Sequence, residues 1–266
     1  MQGIQAISDR RTTPGNAPCV EIGDARYSVR FADSGEEIEA ALKLRFEVFN
    51  LELGEGLASS FQTGRDRDEF DATCHHLIAA EKATGKVVGT YRLRTIEIAG
   101  SAAGFYSAGE FDLHCLRPDV LNVSVEVGRA CIALEHRNRQ VLFLLWRGLA
   151  QFMSSHRKRF LFGCCSLTSQ DPAEGIQMLA QLERGGYMHP TLLVPPQPGY
   201  ECIAGGAATP RTADLKIPRL FATYLSIGAR VCSAPALDRR FKTIDFFVVF
   251  DLEAMDQKTR RQFFAA

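Results

Sequence analysis

Apolar and polar positions change in short runs along the chain, and the period of each run predicts an element. Tyr27–Ala32 alternates, as a strand with one buried face would. After the turn at Asp33-Ser34-Gly35 a helix is expected from about Glu36, with Ile38, Ala41, Leu42, Phe49 and Leu53 on one buried stripe. Leu51–Arg67 carries Gly54, Gly56 and Gly64 and reads as a mobile connection. His76–Lys82 and Lys86–Thr95 read as strands joined through Ala83-Thr84-Gly85, where glycine supplies a positive φ. Asn122–Ile132 is a further strand, Val141–His156 a long apolar helix and Phe160–Leu167 a strand. Asp171-Pro172-Ala173-Glu174 starts a helix by capping, and Gly185-Gly186 ends it. Pro190–Pro210 is a Pro/Gly-rich loop long enough to suggest a lid. Pro218–Ile227 forms a short helix before Gly228, and Ile244–Leu252 is the last strand.

Antiparallel strands thus come first and strand-helix-strand units follow, which predicts one mixed α/β (α+β) domain over residues 27–266. Met1–Arg26, polar and aperiodic with Pro14, Gly15 and Pro18, is expected to be a disordered tail. No G-x-G-x-x-G or P-loop sequence occurs, so a nucleotide fold has no support.

Charge and cysteine usage narrow the partners. Lys plus Arg and Asp plus Glu both number 31, so no global field points to nucleic acid. The eight cysteines form no C-x-x-C pair and lie mostly in apolar runs, as small hydrophobes in a reducing cytosol rather than disulfides or metal ligands. No secretory signal is visible at Met1–Asp9, and apolar runs such as Val141–Trp146 fall far short of the ~20 residues that span a bilayer. The expectation is a cytoplasmic protein. Only Lys216-Ile217-Pro218-Arg219-Leu220-Phe221 mixes basic and apolar residues in a way that suits peripheral contact with a membrane, packing on the sheet being the plainer role.

Two positions stand out chemically. Arg45 falls on the apolar stripe of the first helix; it needs a carboxylate from elsewhere, or it snorkels to the surface from the stripe edge. In Asn122–Ile132 the valines Val123, Val125 and Val127 face one way and Glu126 the other, and Gly128 suggests a bulge that brings Arg129 to the face of Glu126. Such a charged pair in a valine-rich strand is either a structural ion pair or part of a site. His114 with Asp119 makes an H-x-x-x-x-D without a supporting phosphate motif, and Cys164-Cys165-Ser166 lacks a recognisable His–acid partner, so neither carries a catalytic assignment.

In order, Arg45 and Phe49 form R-x-x-x-F, Asp68–Asp71 reads D-E-F-D, Arg92 opens R-L, and Glu126 with Arg129 forms E-x-x-R. This ordered set resembles the acyl-homoserine-lactone (autoinducer) synthases. It is closer still to the ornithine lipid N-acyltransferases, often labelled hemolysin-like. The segments that carry the likeness are LRFEVFNLELG (44–54), DEFDATCHHL (68–77), TGKVVGTYRLR (84–94), FYSAGEFDL (105–113), VEVGRAC (125–131), HRNRQVLFLLWRGL (136–149) and TIDFFVVFDL (243–252). They span most of the chain from Leu44 onward.

The resemblance implies a GNAT acyltransferase fold: a central mixed, mostly antiparallel sheet with helices on both faces. It implies transfer of a 3-hydroxyacyl chain from acyl carrier protein to the α-amine of L-ornithine, giving lyso-ornithine lipid. No cofactor is bound; the 4'-phosphopantetheine of the carrier belongs to the donor. A long-chain N-acyl amino acid synthase or an autoinducer-synthase-like enzyme with another amine acceptor, or a catalytically silent carrier- or lipid-binding module, is the alternative. Glu126 and Arg129 are the catalytic candidates, Glu126 as base or as the structural partner of Arg129. Arg45, Phe49, Asp68, Asp71 and Arg92 would form the floor for a zwitterionic amino acid, or an ion network that holds the N-terminal helices on the sheet. Strands that part at Val125 and Val127 would admit the pantetheine, with Ser166 beside the thioester. His136, Arg137 and Arg139, before the long helix, would meet the carrier's phosphodiester at a helix N-terminus.

Overall fold

The computed structural model describes residues 21–203 and 213–264. β2 (Tyr27–Phe31) buries Tyr27, Val29 and Phe31 and leaves Ser28 and Arg30 half-buried, the period of a strand with one face on a core. β3 (His75–Glu81) and β4 (Val87–Thr95) are buried almost throughout, as strands covered on both faces are. Between them Gly85 sits at φ 70°, which costs glycine nothing for want of a Cβ.

β5 (Ser124–Ile132), β6 (Phe160–Leu167) and β9 (Thr243–Asp251) continue the sheet. The short strands β1 (Ile22–Gly23), β7 (Arg230–Val231) and β8 (Ala236–Asp238) complete it. The order is β1-β2-β3-β4-β5-β6-β9-β7, with β8 also on β9. β5 and β6 run parallel, and the other paired strands run antiparallel.

α1 (Gly35–Arg45) is capped by Ser34, whose Oγ accepts from the N–H of Glu37, and runs into a π-helix over Phe46–Glu52. The one-turn helices α2 (Ser60–Thr63), α3 (Ile96–Ala99) and α4 (Pro118–Asn122) punctuate the connections. α5 (Arg139–Ser155) starts at Asn138, whose side chain accepts from the N–H of Val141. α6 (Pro172–Arg184) starts as its sequence predicts, with the Asp171 carboxylate on the N–H of Ala173. α7 (Arg219–Ser226) and α8 (Gln257–Phe264) follow.

Adjacent residues of β3 show how the layers divide. Leu77 packs under α5 with Leu144, Leu145 and Phe152, whereas Ile78 packs with Ala41 and Leu44 of α1. Successive strand side chains point to opposite faces, so α5 and α1 cover opposite sides of the sheet. On the β6–β9 half, α6 and α7 bring Met178, Leu182, Phe221 and Leu225 onto Ile244 and Phe246. The segment 105–121 brings Phe105 and Phe111 onto Phe162 and Phe247. This is the α/β arrangement with cover on both faces that the resemblance implies.

Several expectations are corrected. The strand starting at Asn122 begins at Ser124, because Pro118–Asn122 is helical. The apolar stripe of the first helix does not continue to Leu53: the π-helix shifts the register, and Leu53 is exposed. The expected tail ends earlier, since Ile22–Gly23 pairs with β2; its residues 1–20 lie outside the described residues. So do residues 204–210 of the expected lid, while its described part is fastened down, with Val194 buried and the Pro195 carbonyl accepting from Asp112 N.

Candidate active site

Arg45 does not reach the surface. It is fully buried at the end of α1, where its Nε donates to Asp66 at 2.7 Å and its Nη1 to Asp71 at 2.7 Å. Arg92, on β4, donates to Asp68 at 2.5 Å and to Asp71 at 3.0 Å. Arg129, on β5, lies 3.2 Å from Asp66 and 3.1 Å from Asp68. Three arginines and three aspartates thus alternate, each arginine touching two carboxylates. Burial alone would raise the Asp71 carboxyl, but Arg45 and Arg92 outweigh it and hold Asp71 well below the ordinary carboxylate range. Asp68 is lowered in the same way: burial opposes, Arg92 and Arg129 prevail.

β5 carries the expected bulge. Thr90 pairs with Cys131 and Arg92 with Gly128, so Arg129 and Ala130 together stand opposite Tyr91. Arg129 adopts φ 51°, unusual for a residue with a side chain. The bulge swings its guanidinium to 4.7 Å from the Tyr106 ring centre and 4.3 Å from that of Phe241.

Glu126 is on the same side but is not the partner of Arg129. Its Oε2 accepts from the N–H of Tyr106 at 2.9 Å, and its Oε1 accepts from the N–H and Oγ of Ser107 at 2.7 and 2.6 Å. The expected Glu126–Arg129 ion pair is therefore corrected. The three donors lie on the segment after Gly104, which sequence periodicity could not bring near.

β5 and β6 pair only through Ser124–Phe160, Val125–Leu161 and Glu126–Phe162. β5 then runs on beside β4 and β6 beside β9, so the two strands part. A cavity of about 1020 Å³ opens there. At one end stand Arg92, Tyr106, Glu126 and Arg129; towards the other lie Trp146, Leu149, Met153, Leu252, Met255 and Phe263. A polar head and a long oily body in one continuous space are what this arrangement can hold.

The other assigned residues divide. Val127, Arg137, Arg139, Ser166 and Phe49 line the cavity, Phe49 packing edge-on against Phe241 at 5.4 Å. Val125 does not: it is wholly buried in the core under α5, because it precedes the split. His136 does not either: it is buried, with Nδ1 3.0 Å from the Tyr27 hydroxyl. Arg137 is held by Glu52 at 2.6 Å and by the Ile132 carbonyl at 3.0 Å, and Arg139 is exposed at the start of α5. Asp66, Tyr106, Ser107, Glu55 and Asp245 are additions that the spacing of motifs did not single out.

A family model described as an acetyltransferase (GNAT) domain matches residues 44–147, which contain Arg45, the aspartates, Arg92 and Arg129. The L-ornithine N(alpha)-acyltransferase of Brucella abortus (strain 2308) is 32% identical over 97% of this chain and 95% of its own length. That of Rhodobacter capsulatus is 32% identical over 88% of this chain and 93% of its own. The chain belongs to this acyltransferase family. Among solved structures it is similar to the AHL synthase LasI (TM-score 0.48, 12% identity, 90% of this chain and 95% of that one). It is also similar to FeeM, an N-acyl amino acid synthase from uncultured soil microbes (TM-score 0.46, 10% identity, 86% and 92%). A GNAT-fold acyltransferase of this family joins an acyl donor to an amine acceptor. Among the described residues no helix is long and apolar enough to cross a membrane.

Proposed function

We propose that the enzyme transfers a 3-hydroxyacyl chain from the phosphopantetheine thioester of acyl carrier protein to the α-amine of L-ornithine, forming lyso-ornithine lipid. The observation that carries this reading is the single cavity with an arginine–carboxylate head and an apolar body, opening where β5 leaves β6. The acyl tail lies along Leu149, Met153 and Phe263, and the thioester lies at the split, near Val127 and Ser166.

The amine nitrogen attacks the thioester carbonyl carbon, and the electron pair moves onto oxygen. Beyond Glu126 the β5 backbone no longer pairs with β6, so its N–H groups on that side suit the developing oxyanion. Glu126 first takes a proton from the acceptor's ammonium through Oε2, which accepts one hydrogen bond and keeps a second lone pair; this frees the nitrogen pair that attacks, and the second proton lost by the adduct nitrogen goes to the leaving sulfur. Collapse of the tetrahedral adduct breaks the C–S bond, and the thiol leaves with a proton. Arg129 binds the acceptor's carboxylate; its own aspartates and the faces of Tyr106 and Phe241 fix its direction. Arg45 and Asp71 hold the floor in register from below.

The carrier approaches the N-terminus of α5. Arg139 is exposed there and Asn138 lines the cavity; both suit a single phosphodiester better than a glycine-rich pyrophosphate loop would. Lys216 and Arg219 point outward while Ile217 and Leu220 are half-buried on the cavity wall, which suits contact with an anionic lipid surface. Residues 27–266 act as one domain.

The test is incubation of the purified protein with 3-hydroxyacyl carrier protein and a panel of amino acids. N-acyl-ornithine as the main product is expected. Product with another amine alone moves the chain to a different N-acyl amino acid synthesis, and no thioester consumption defeats the reading.

A further inference from the structure

The polar end of the cavity contains more negative charge than the attacking amine and its carboxylate require. Asp245, on β9, lines it and is only 3% exposed, yet its Oδ1 has no hydrogen-bond partner. Glu55 lines the same end, 6% exposed, with Oε1 accepting from the Thr168 hydroxyl. Glu110 stands behind Asp245: a carboxylate oxygen of each and the Cys164 sulfur lie within 4.8 Å of one another. Among the described residues none of these three carboxyls is in an ion pair, although six ion contacts tie up the aspartates on the other side of Arg129. Glu126 accepts from Tyr106 and Ser107 and keeps on Oε2 only the lone pair that the α-amine uses.

We propose that Asp245, backed by Glu110 and flanked by Glu55, receives the side-chain ammonium of the acceptor and so selects a dibasic amino acid over a neutral one. This rests on the reading that an amino acid is acylated in this cavity, and adds what chooses it. Buried carboxylates packed together without cations are unfavourable, because each charge is desolvated and repelled by the next. An ammonium group relieves both penalties, and Asp245 lines the cavity with a buried oxygen that no donor in the described residues satisfies. The α-ammonium and the α-carboxylate have their own sites at Glu126 and Arg129, so the second cation of the acceptor is the group left to match.

Charge state fits this role. Burial pushes Asp245 up, and burial followed by the Asp245 charge pushes Glu110 well up, so the free pair holds a proton more readily than two solvated carboxyls would. Burial likewise raises Glu55, against the Thr168 hydrogen bond. An incoming ammonium favours the ionised pair and displaces that proton. Acceptor affinity therefore rises with pH as the pair ionises, while the side-chain amine stays charged.

The experiment compares L-ornithine with L-norvaline, which has the same carbon chain without the terminal amine, using one acyl carrier thioester. The wild-type kcat/KM ratio is expected to favour ornithine by a hundredfold or more. Asp245→Asn lowers that ratio at least tenfold, chiefly through KM for ornithine, and abolishes the fall of KM with rising pH. Its melting temperature is not lowered, since a repelling charge is removed. Glu55→Gln gives a smaller loss of the same kind and serves if Asp245→Asn fails to fold. Calorimetry of ornithine binding to the wild type in two buffers of different ionisation enthalpy reads the released proton directly. A wild type that acylates ornithine while Asp245→Asn and Glu55→Gln keep its preference overturns this inference and leaves the activity standing. A wild type that acylates neither amino acid overturns both.

Discussion

A Cβ placed on Gly163 would lie 2.2 Å from the carbonyl oxygen of Val127. β6 therefore still passes tightly beside β5 one residue after their last paired position, and no pairing continues beyond it. Gly163→Ala should push β6 off β5, costing about 1–3 kcal/mol of stability, as overpacking in a tight core does. Denaturant unfolding measures the loss, and acyl transfer should fall more than the fraction folded does. Unchanged stability would mean that the strands are not held together there.

Glu126→Gln and Arg129→Ala should each lower acyl transfer by a factor of about a hundred or more, the range of a lost proton acceptor or charge anchor. The variants need circular dichroism and a melting curve beside the rate, because both residues also tie segments together. Near-wild-type turnover in a folded variant would remove that residue from the chemistry.

Arg45→Ala leaves Asp66 and Asp71 buried with one cation fewer between them. Breaking a buried pair in this way costs about 3–5 kcal/mol. Urea unfolding should show that loss. The surface pair Arg117–Asp119, exposed on both sides, should give less than about 1 kcal/mol on the same substitution.

Much of this site was legible in the chain. Arg45 on an apolar stripe pointed either to a carboxylate partner or to a snorkelling side chain, and Gly128 within a valine run to a bulge or a close backbone approach; the fold took the first of each. The parting of two strands came from the family likeness. Asp66 escaped because Arg65-Asp66-Arg67 looks like a solvated charge run, and only the fold buries its middle residue. The donors to Glu126 escaped because 105–107 forms no periodic element. Glu55 and Asp245 lie far apart in sequence, one after a π-helix that no apolar period predicts, the other as an acid inside a strand that is otherwise mostly apolar up to its closing Asp251. Two-residue strands such as β1 and β7 carry too few positions to show a period.

His75 is buried against Phe31 and Phe152. Burial, with His156 and His76 nearby, pushes it down to about 4. The unfolded chain takes up a proton near 6.5, so stability is full above that value and is lost as pH falls from about 6.5 to about 4. The loss is about 3 kcal/mol on the scale of 1.36 kcal/mol per unit. Asp68 and Asp71, both lowered, add a further loss as pH falls through 3.8. His75→Phe should flatten the upper part of this decline in pH-dependent unfolding; an unchanged slope between pH 6.5 and 4 would contradict it.

Leu149 lines the apolar body of the cavity. Leu149→Trp should lower transfer of sixteen-carbon chains tenfold or more and leave four-carbon chains within a factor of about three. Leu149→Ala should admit longer chains and cost about 2–5 kcal/mol in stability. A panel of acyl carrier thioesters of graded length reads both. Equal rates across the panel in the tryptophan variant would move the tail elsewhere.

An oily chamber whose wall includes Trp146 and Phe263, packed ring on ring, has a thermodynamic consequence for turnover. Each methylene withdrawn into water costs about 0.8 kcal/mol, so a twelve-carbon tail faces roughly 10 kcal/mol on departure into the aqueous phase. The finished amphiphile is therefore trapped by the same walls that welcomed its precursor. Its exit depends on an apolar phase brought up to the mouth of the chamber, and detergent or vesicles should govern the steady-state rate more strongly than the first turnover.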